Sequence, residues 1–200
     1  MATIRSYRPD DLPALYDICL TTGAAGQDAS AQYSDPELIG HLYAAPYAVL
    51  QPDLVLVAED ALGVAGYIVG TYDSNGFAER LEREWWPALR QRYAKPSTAL
   101  TQRDRQRIAD IRTPRSNPPA IVARYPAHIH MNLRSRLRGQ GVGTALLERW
   151  VDKARAAGVA GIHLGASVSN SGGVGFWRRS GFAPLQTIGS TVWMGMALTD

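Results

Sequence analysis

The stretch Arg138-Gly139-Gln140-Gly141-Val142-Gly143-Thr144 sets three glycines and an arginine where a strand-like segment gives way to an amphipathic helix. Glycine lets a backbone approach a ligand closely, and the unpaired amides and dipole of a helix start favour an anion, so the chemistry is that of a pyrophosphate cradle. A Walker-type loop needs lysine and then serine or threonine after its last glycine, and Gly143-Thr144-Ala145 has no lysine. A dinucleotide fingerprint needs GxGxxG, then an acidic residue about 20 positions on that closes a second strand. Here glycines 139, 141 and 143 give GxGxG, and Glu148 and Asp152 fall inside the following helix. What remains is R-x-x-G-x-G on Arg138, Gly141 and Gly143.

The flanks place this loop. Ala127 to Leu133 alternates apolar and polar residues, with Ile129, Met131 and Leu133 on one face, as a half-buried strand requires. Val142, Leu146, Leu147, Trp150, Val151 and Ala154 recur at helical spacing, and Gly158 is placed to cap that helix. A strand from Gly161 to Ser167 follows, then a second glycine-rich segment, Asn170 to Phe182, reading NSGGVGFWRRSGF.

Together the two segments resemble the acyl-CoA loop and the N-x-x-A-x-x-F-Y-x-x-x-G-F segment of the GCN5-related N-acetyltransferases. Asn170, Phe176, Gly181 and Phe182 match in type and spacing, Gly173 replaces a small alanine, and Trp177 replaces the usual tyrosine. The N-terminal segments Thr21 to Ala29, Asp35 to Tyr47, Gly66 to Asp73 and Trp85 to Tyr93 are similar to the acetyltransferase-like domain of eukaryotic O-GlcNAcases and its free-standing bacterial relatives. The glycoside-hydrolase domain of those eukaryotic proteins has no counterpart here, so no sugar hydrolysis is implied.

The resemblance implies transfer of an acetyl group from acetyl-CoA to an amine, a small molecule or a protein lysine or N-terminus, by direct attack and without a metal. It assigns the pyrophosphate to the amides of Gln140, Gly141, Val142, Gly143 and Thr144, with Arg138 and Gly139 beside them. Leu133 would offer backbone groups to pantetheine and the thioester oxygen, Asn170 and Gly173 would meet the pantetheine arm, and Phe176 would pack beneath it. Trp177 and Asn132 stand where the family carries a tyrosine acid and the eukaryotic relatives an aspartate. An indole N–H yields no proton at useful pH, and an amide is no base. Asp28, in the loop matching the relatives' GxD element, is a candidate for holding a cationic substrate together with Asn132 and Trp177. The acid and base therefore stay open. The alternative is a non-catalytic module that binds acetyl-CoA and recognises a partner protein.

By alternation His128, His130 and Asn132 share a strand face, so His130 could take a proton from an amine if that face opens on a cleft; otherwise it is a satisfied structural histidine. The H-x-H pair has no third ligand at metal spacing.

The resemblance also fixes the expected fold: α+β, a mixed and mostly antiparallel sheet of about seven strands flanked by helices, with a helical insertion before the fourth strand. One domain over residues 1–200 is expected, the insertion spanning about 75–120. A strand at Thr3 to Arg8, a helix from Asp10 or Asp11 to Leu20, and a hairpin of Leu54 to Ala58 with Val64 to Tyr72 precede it. Ser34-Asp35-Pro36-Glu37 fits a capping box opening a second helix. In the insertion, Phe77 to Tyr93 reads as a helix broken near Pro87, a second helix runs from about Ser97 to Ile111, and a proline-rich linker spans Thr113 to Ala120. Trp85 and Trp86 cannot share a helix face; packing onto the sheet is expected, with a substrate wall or homodimer contact as alternatives. Pro184 to Ile188 and Thr191 to Leu198 close the chain as a hairpin.

Composition bounds the rest. The chain is 46% hydrophobic with a net charge of +3, and no segment reaches the roughly 18 apolar residues of a membrane span. The start MATIRSYRPDD has no apolar signal core and the single Cys19 can form no internal disulfide, so a cytoplasmic protein is expected. Cys19 lies on the apolar face of the first helix, a packing position. Arg112, Arg115, Arg124, Arg134, Arg136 and Arg138 form an acid-free block around the glycine loop, which a polyphosphate ligand would explain locally, while Arg112, Arg115 and Arg124 are expected on a solvated loop. No nucleic-acid-binding motif accompanies it.

Overall fold

The structure, a computed structural model, describes residues 2–95 and 98–199. Seven strands form one sheet in the order β1-β2-β3-β4-β5-β7-β6. They are β1 (Thr3–Ser6), β2 (Leu56–Asp60), β3 (Gly63–Thr71), β4 (Ala127–Leu133), β5 (Gly161–Ser167), β6 (Ala183–Ile188) and β7 (Thr191–Ala197). All neighbours are antiparallel except β4 and β5. The sheet is thus the mixed, mostly antiparallel one expected, and the α+β class holds.

The two parallel strands barely touch. β4 pairs with β3 from Leu133–Gly66 to His128–Thr71, and β5 pairs with β7 along its whole length, from Gly161–Ala197 to Ser167–Thr191. Between themselves they make only the pairs Ala127–Ile162 and His128–His163. Beyond that rung the facing edges diverge, and their peptide groups have no cross-strand partner, which leaves a polar slot in the middle of the sheet.

Helices cover both faces. On one side α8 (Val142–Ala156) and α9 (Ser171–Arg179) bury Leu146, Trp150 and Ala154 against Ile68, Ile129 and Ile162. This is the helical stripe read from the sequence, closed as expected by Gly158 at φ +72°. Gly70 has no side chain because a Cβ there would stand 2.8 Å from the Trp150 ring, whose Nε1 donates to the Leu54 carbonyl. On the other face α1 (Leu12–Thr21), α2 (Gly40–Tyr43) and α3 (Ala45–Leu50) pack Leu15, Ile18 and Tyr47 onto Val57, Tyr67 and Val69.

The insertion forms α4 (Ser74–Glu84), α5 (Trp86–Arg92), α6 (Gln102–Arg112) and α7 (Pro119–Arg124). The break expected at Pro87 falls at Trp85, because proline is tolerated in the first turn of α5 and not within α4. The second helix starts at Gln102, capped by the reciprocal Thr101–Asp104 box; the expected start at Ser97 lies outside the described residues. The tryptophans do not pack onto the sheet. Trp86 joins Leu38, Leu89, Ile108 and Ile111 in a separate core, and Trp85 donates to the His41 carbonyl at 3.0 Å.

The capping box expected at Ser34 does not form. The Ser34 N–H and hydroxyl both reach the buried Asp104 carboxylate, at 3.1 and 2.6 Å, so the serine is spent on the insertion and the helix begins only at Gly40. Burial works against the Asp104 charge, but hydrogen bonds from Ser34 and Thr101 outweigh it and hold this carboxyl below its usual range.

Candidate functional site

The glycine loop arrives at α8 with two left-handed residues, Gly139 at φ +73° and Gly141 at +75°, and nothing within 4 Å of where their Cβ atoms would stand. That combination is a backbone concavity a side chain would fill. Helix α8 takes Gly141 as N-cap, with no side chain closing it and no acid in its first turn. Its internal ladder opens with the Ala145 N–H on the Gly141 carbonyl, leaving the amides of Val142, Gly143 and Thr144 without an intrahelical acceptor. These donors and the helix dipole suit the pyrophosphate assigned to them.

Several of the arginines around the loop are paired elsewhere. Arg134 pairs with Asp17 and Arg136 with Asp60, the latter at 2.8 Å. Arg138 donates to the Leu133 carbonyl at 3.1 Å and to the Gly26 carbonyl at 2.7 Å, tying the end of β4 to the loop after α1. Arg115 pairs with Asp110, and Arg112 donates to the Tyr93 carbonyl. Arg115, Arg134 and Arg136 are thus neutralised, whereas Arg138 meets only neutral carbonyls and keeps its charge in the loop, so attraction for an anion rests on the backbone donors together with Arg138.

A cleft of about 490 Å³ fills the slot. Its lining includes His130, Asn132, Ala166, Asn170 and Trp177, with Thr22 to Gly26 of the loop after α1 opposite. Beside it Leu133 and Phe176 pack on Gly143, where a Cβ would lie 3.0 Å from the leucine and 3.4 Å from the ring. Asn170 caps α9, accepting the Gly173 N–H at 2.9 Å. Gly173 meets that side chain and not open cleft, since a Cβ there would stand 2.5 Å from Asn170 Nδ2.

The three substrate candidates divide. Asn132 is locked in a relay: it accepts from the Tyr67 hydroxyl at 3.2 Å and donates to Thr22 Oγ1 at 2.5 Å, while Thr22 donates to the Ile18 carbonyl. An amide, which both accepts and donates, suits that place better than a carboxylate. Trp177 is buried against Phe176 and Phe182, ring centroids 5.0 and 5.3 Å away, with its edge on the cleft. Asp28 is not brought to the cleft. It is exposed and accepts from the Ser30 N–H and hydroxyl, hydrogen bonds that lower its carboxyl below the usual range.

His130 does face the cleft, its ring 5.5 Å from both Tyr43 and Tyr47. Burial, with the nearby His163, pushes it down to about 4, so it is a neutral, weak base at pH 7. His128 is a satisfied histidine. Ser74 donates its hydroxyl to the Pro126 carbonyl and so accepts from His128 Nδ1, leaving Nε2 to accept from the Tyr47 hydroxyl at 2.7 Å. Arg107, which lines the cleft, and His163, buried against His128 with ring centroids 5.6 Å apart, carry no signal in sequence spacing. His163 reaches His128 only across the parallel rung, and Arg107 reaches the Tyr43 hydroxyl from the insertion.

Comparison with known proteins agrees with this fold. The chain is 27% identical to rat and to mouse protein O-GlcNAcase over 161 residues, covering 80% of itself and 18% of each relative's length. The crystal structure of SsHAT is 34% identical with a TM-score of 0.92, covering 100% of this chain and 99% of that one. The structure of yncA, a putative acetyltransferase from Salmonella typhimurium with its cofactor acetyl-CoA, shares the fold at 17% identity and TM-score 0.56, covering 100% and 95%. The profile of the Acetyltransferase (GNAT) family matches residues 31–182, three-quarters of the sequence, and the chain belongs to that family.

Proposed function

We propose that the protein is an N-acetyltransferase that takes its acetyl group from acetyl-CoA and passes it to a primary amine. The observation that carries this reading is the set of unpaired amides at the start of α8, with Gly139 and Gly141 leaving room above them, in the loop that follows the strand β4 where it has parted from β5. A relative of the same fold holds acetyl-CoA. Bound acetyl-CoA would supply an activated thioester. The amides of Gln140 to Thr144 would hold its pyrophosphate. Unpaired peptide groups of β4 beyond His128 would orient the pantetheine arm and donate to the thioester oxygen. Asn170 retains its Nδ2 hydrogens for that arm, and Phe176 forms the floor. Neither Trp177 nor Asn132 can move a proton, so the leaving sulfur would be protonated from solvent.

A second reading, a module that binds acetyl-CoA and recognises a partner without turnover, is favoured by one observation: the Asn132 amide is committed on both sides to Tyr67 and Thr22. Calorimetric titration with acetyl-CoA, followed by thiol release with a panel of amines and lysine peptides, separates the two. Binding with amine-dependent thiol release supports the enzyme, and binding without it supports the module. No binding would sink both.

A further inference from the structure

The cleft in the slot is charged on the side of the insertion, and all of that charge is positive. Arg103 and Arg107, one turn apart on α6, line it beside Tyr33 and Tyr43. No carboxylate lines it among the described residues. His130, its other titratable wall residue of basic type, is neutral at pH 7.

The acids near these arginines do not cancel them. From Gln102 to Arg115 the sequence holds five arginines and two aspartates, and among the described residues no acid from another segment pairs with any of the five. Asp110 is shared, lying 3.1 Å from Arg107 and 3.0 Å from Arg115, and Asp104 turns to Ser34 and Thr101. Arg103 meets only Gln106 Oε1, at 3.5 Å. Tyr33 registers the excess: burial pushes its hydroxyl up from the usual range, and the charges of Arg107 and Arg103 act against that shift. Arg107 also has donors left. Its Nη1 reaches the Tyr43 hydroxyl at 2.7 Å, while its Nη2 has no partner among the described residues. The Tyr43 ring lies in turn 5.5 Å from that of His130, so the guanidinium and the slot are one tyrosine side chain apart.

Guanidinium groups with donors to spare in a cleft without acids suit an oxyanion, which they bind with charge and geometry together. We propose that Arg107 and Arg103 hold an anionic group of the acetyl acceptor, so that the substrate is a small primary amine carrying a carboxylate or a phosphate a few bonds from its nitrogen. The proposal rests on the acetyltransferase reading. It gives the insertion a function: α6 supplies a charge that neither the strands nor the loop after α1 brings to the cleft. The same charge repels polyamines and lysine-rich peptides.

The test uses the full chain. Acetyl-CoA is titrated alone, and then, with CoA present, β-alanine, O-phosphoethanolamine, β-alaninamide, which lacks the anion, and putrescine. At least one anionic amine is expected to bind about tenfold or more tightly than β-alaninamide, and putrescine more weakly still; the tighter of the two tells carboxylate from phosphate. Arg107→Gln should remove most of that margin. Arg103→Glu, at an exposed position with no ion pair to lose among the described residues, should do so without a cost in folding. Both variants should keep their acetyl-CoA affinity, and in turnover their effect should fall on KM for the amine more than on kcat. Acetyl-CoA binding combined with equal affinity for the anionic amines and β-alaninamide, or with a margin that survives both substitutions, overturns this proposal alone. Loss of acetyl-CoA affinity in both variants would assign the arginines to a phosphate of the cofactor and overturn it too. Absence of acetyl-CoA binding in the unaltered protein overturns the acetyltransferase reading and this assignment with it.

Discussion

Asn170 folds over Gly173: its Oδ1 accepts the glycine N–H at 2.9 Å, and its amide occupies the space a Cβ on that glycine would need. A methyl at Gly173 would drive Asn170 off its cap, which costs about 1 kcal/mol, while alanine in place of glycine inside a helix returns a similar amount. Gly173→Ala should therefore be nearly neutral by denaturant unfolding in the native background and stabilising by about 1 kcal/mol when Asn170→Ala is already present. Equal effects in both backgrounds would show that the two residues do not compete for space. The displaced Asn170 should also weaken acetyl-CoA binding.

Asn132→Asp replaces an amide that donates to Thr22 with a group that cannot. Although it restores the residue type of the eukaryotic relatives, it should destabilise the protein by about 1–3 kcal/mol in urea, because Thr22 loses its donor and a half-buried carboxylate is left facing it. A variant as stable as the parent would mean that the relay is dispensable.

Gly141→Val should abolish acetyl-CoA binding. Space is not the obstacle to folding, since nothing lies within 4 Å of the added Cβ; the obstacle is φ +75°, which a β-branched residue resists. If titration finds binding intact, the cradle is not where the anion sits.

His128, His130 and His163 are all held below their usual range, each chiefly by burial. A histidine with a depressed folded-state value binds fewer protons folded than unfolded, so stability is complete above the unfolded value of 6.5 and falls as the pH drops toward about 4, the value of His130. His130→Phe should flatten that slope by up to about 1.4 kcal/mol per pH unit in this window. Chemical denaturation at a series of pH values measures it, and an unchanged slope would assign the effect elsewhere.

Much of this architecture was legible in the sequence because local rules and tertiary needs agreed. The β4-loop-α8 unit is one case: the alternation of Ala127 to Leu133, the glycines at 139, 141 and 143 and the stripe from Val142 to Ala154 each specify the same geometry. Where a local signal had a distant competitor, it failed. Ser34 has the form of a helix cap, yet Asp104, 70 positions away, takes its hydroxyl. Trp85 and Trp86 were read against the sheet, but the insertion makes a core of its own for Trp86. Arg134 and Arg136 were read as part of a field for phosphate, and Asp17 and Asp60, from other segments, neutralise them. His163 had no spacing signal at all, since its place comes from the Tyr125 carbonyl and from the pairing that sets it beside His128.

The short pairing at Ala127–Ile162 and His128–His163 has a mechanical consequence. The seven strands behave as a four-stranded plate and a three-stranded plate joined at one end, with α8 as the strap across them through Ile129 and Ile162. Force applied to pry the plates apart would load that pairing and the Trp150 side of α8 long before it strained any other. Changes in slot width are accordingly a matter of rotation about one fixed corner.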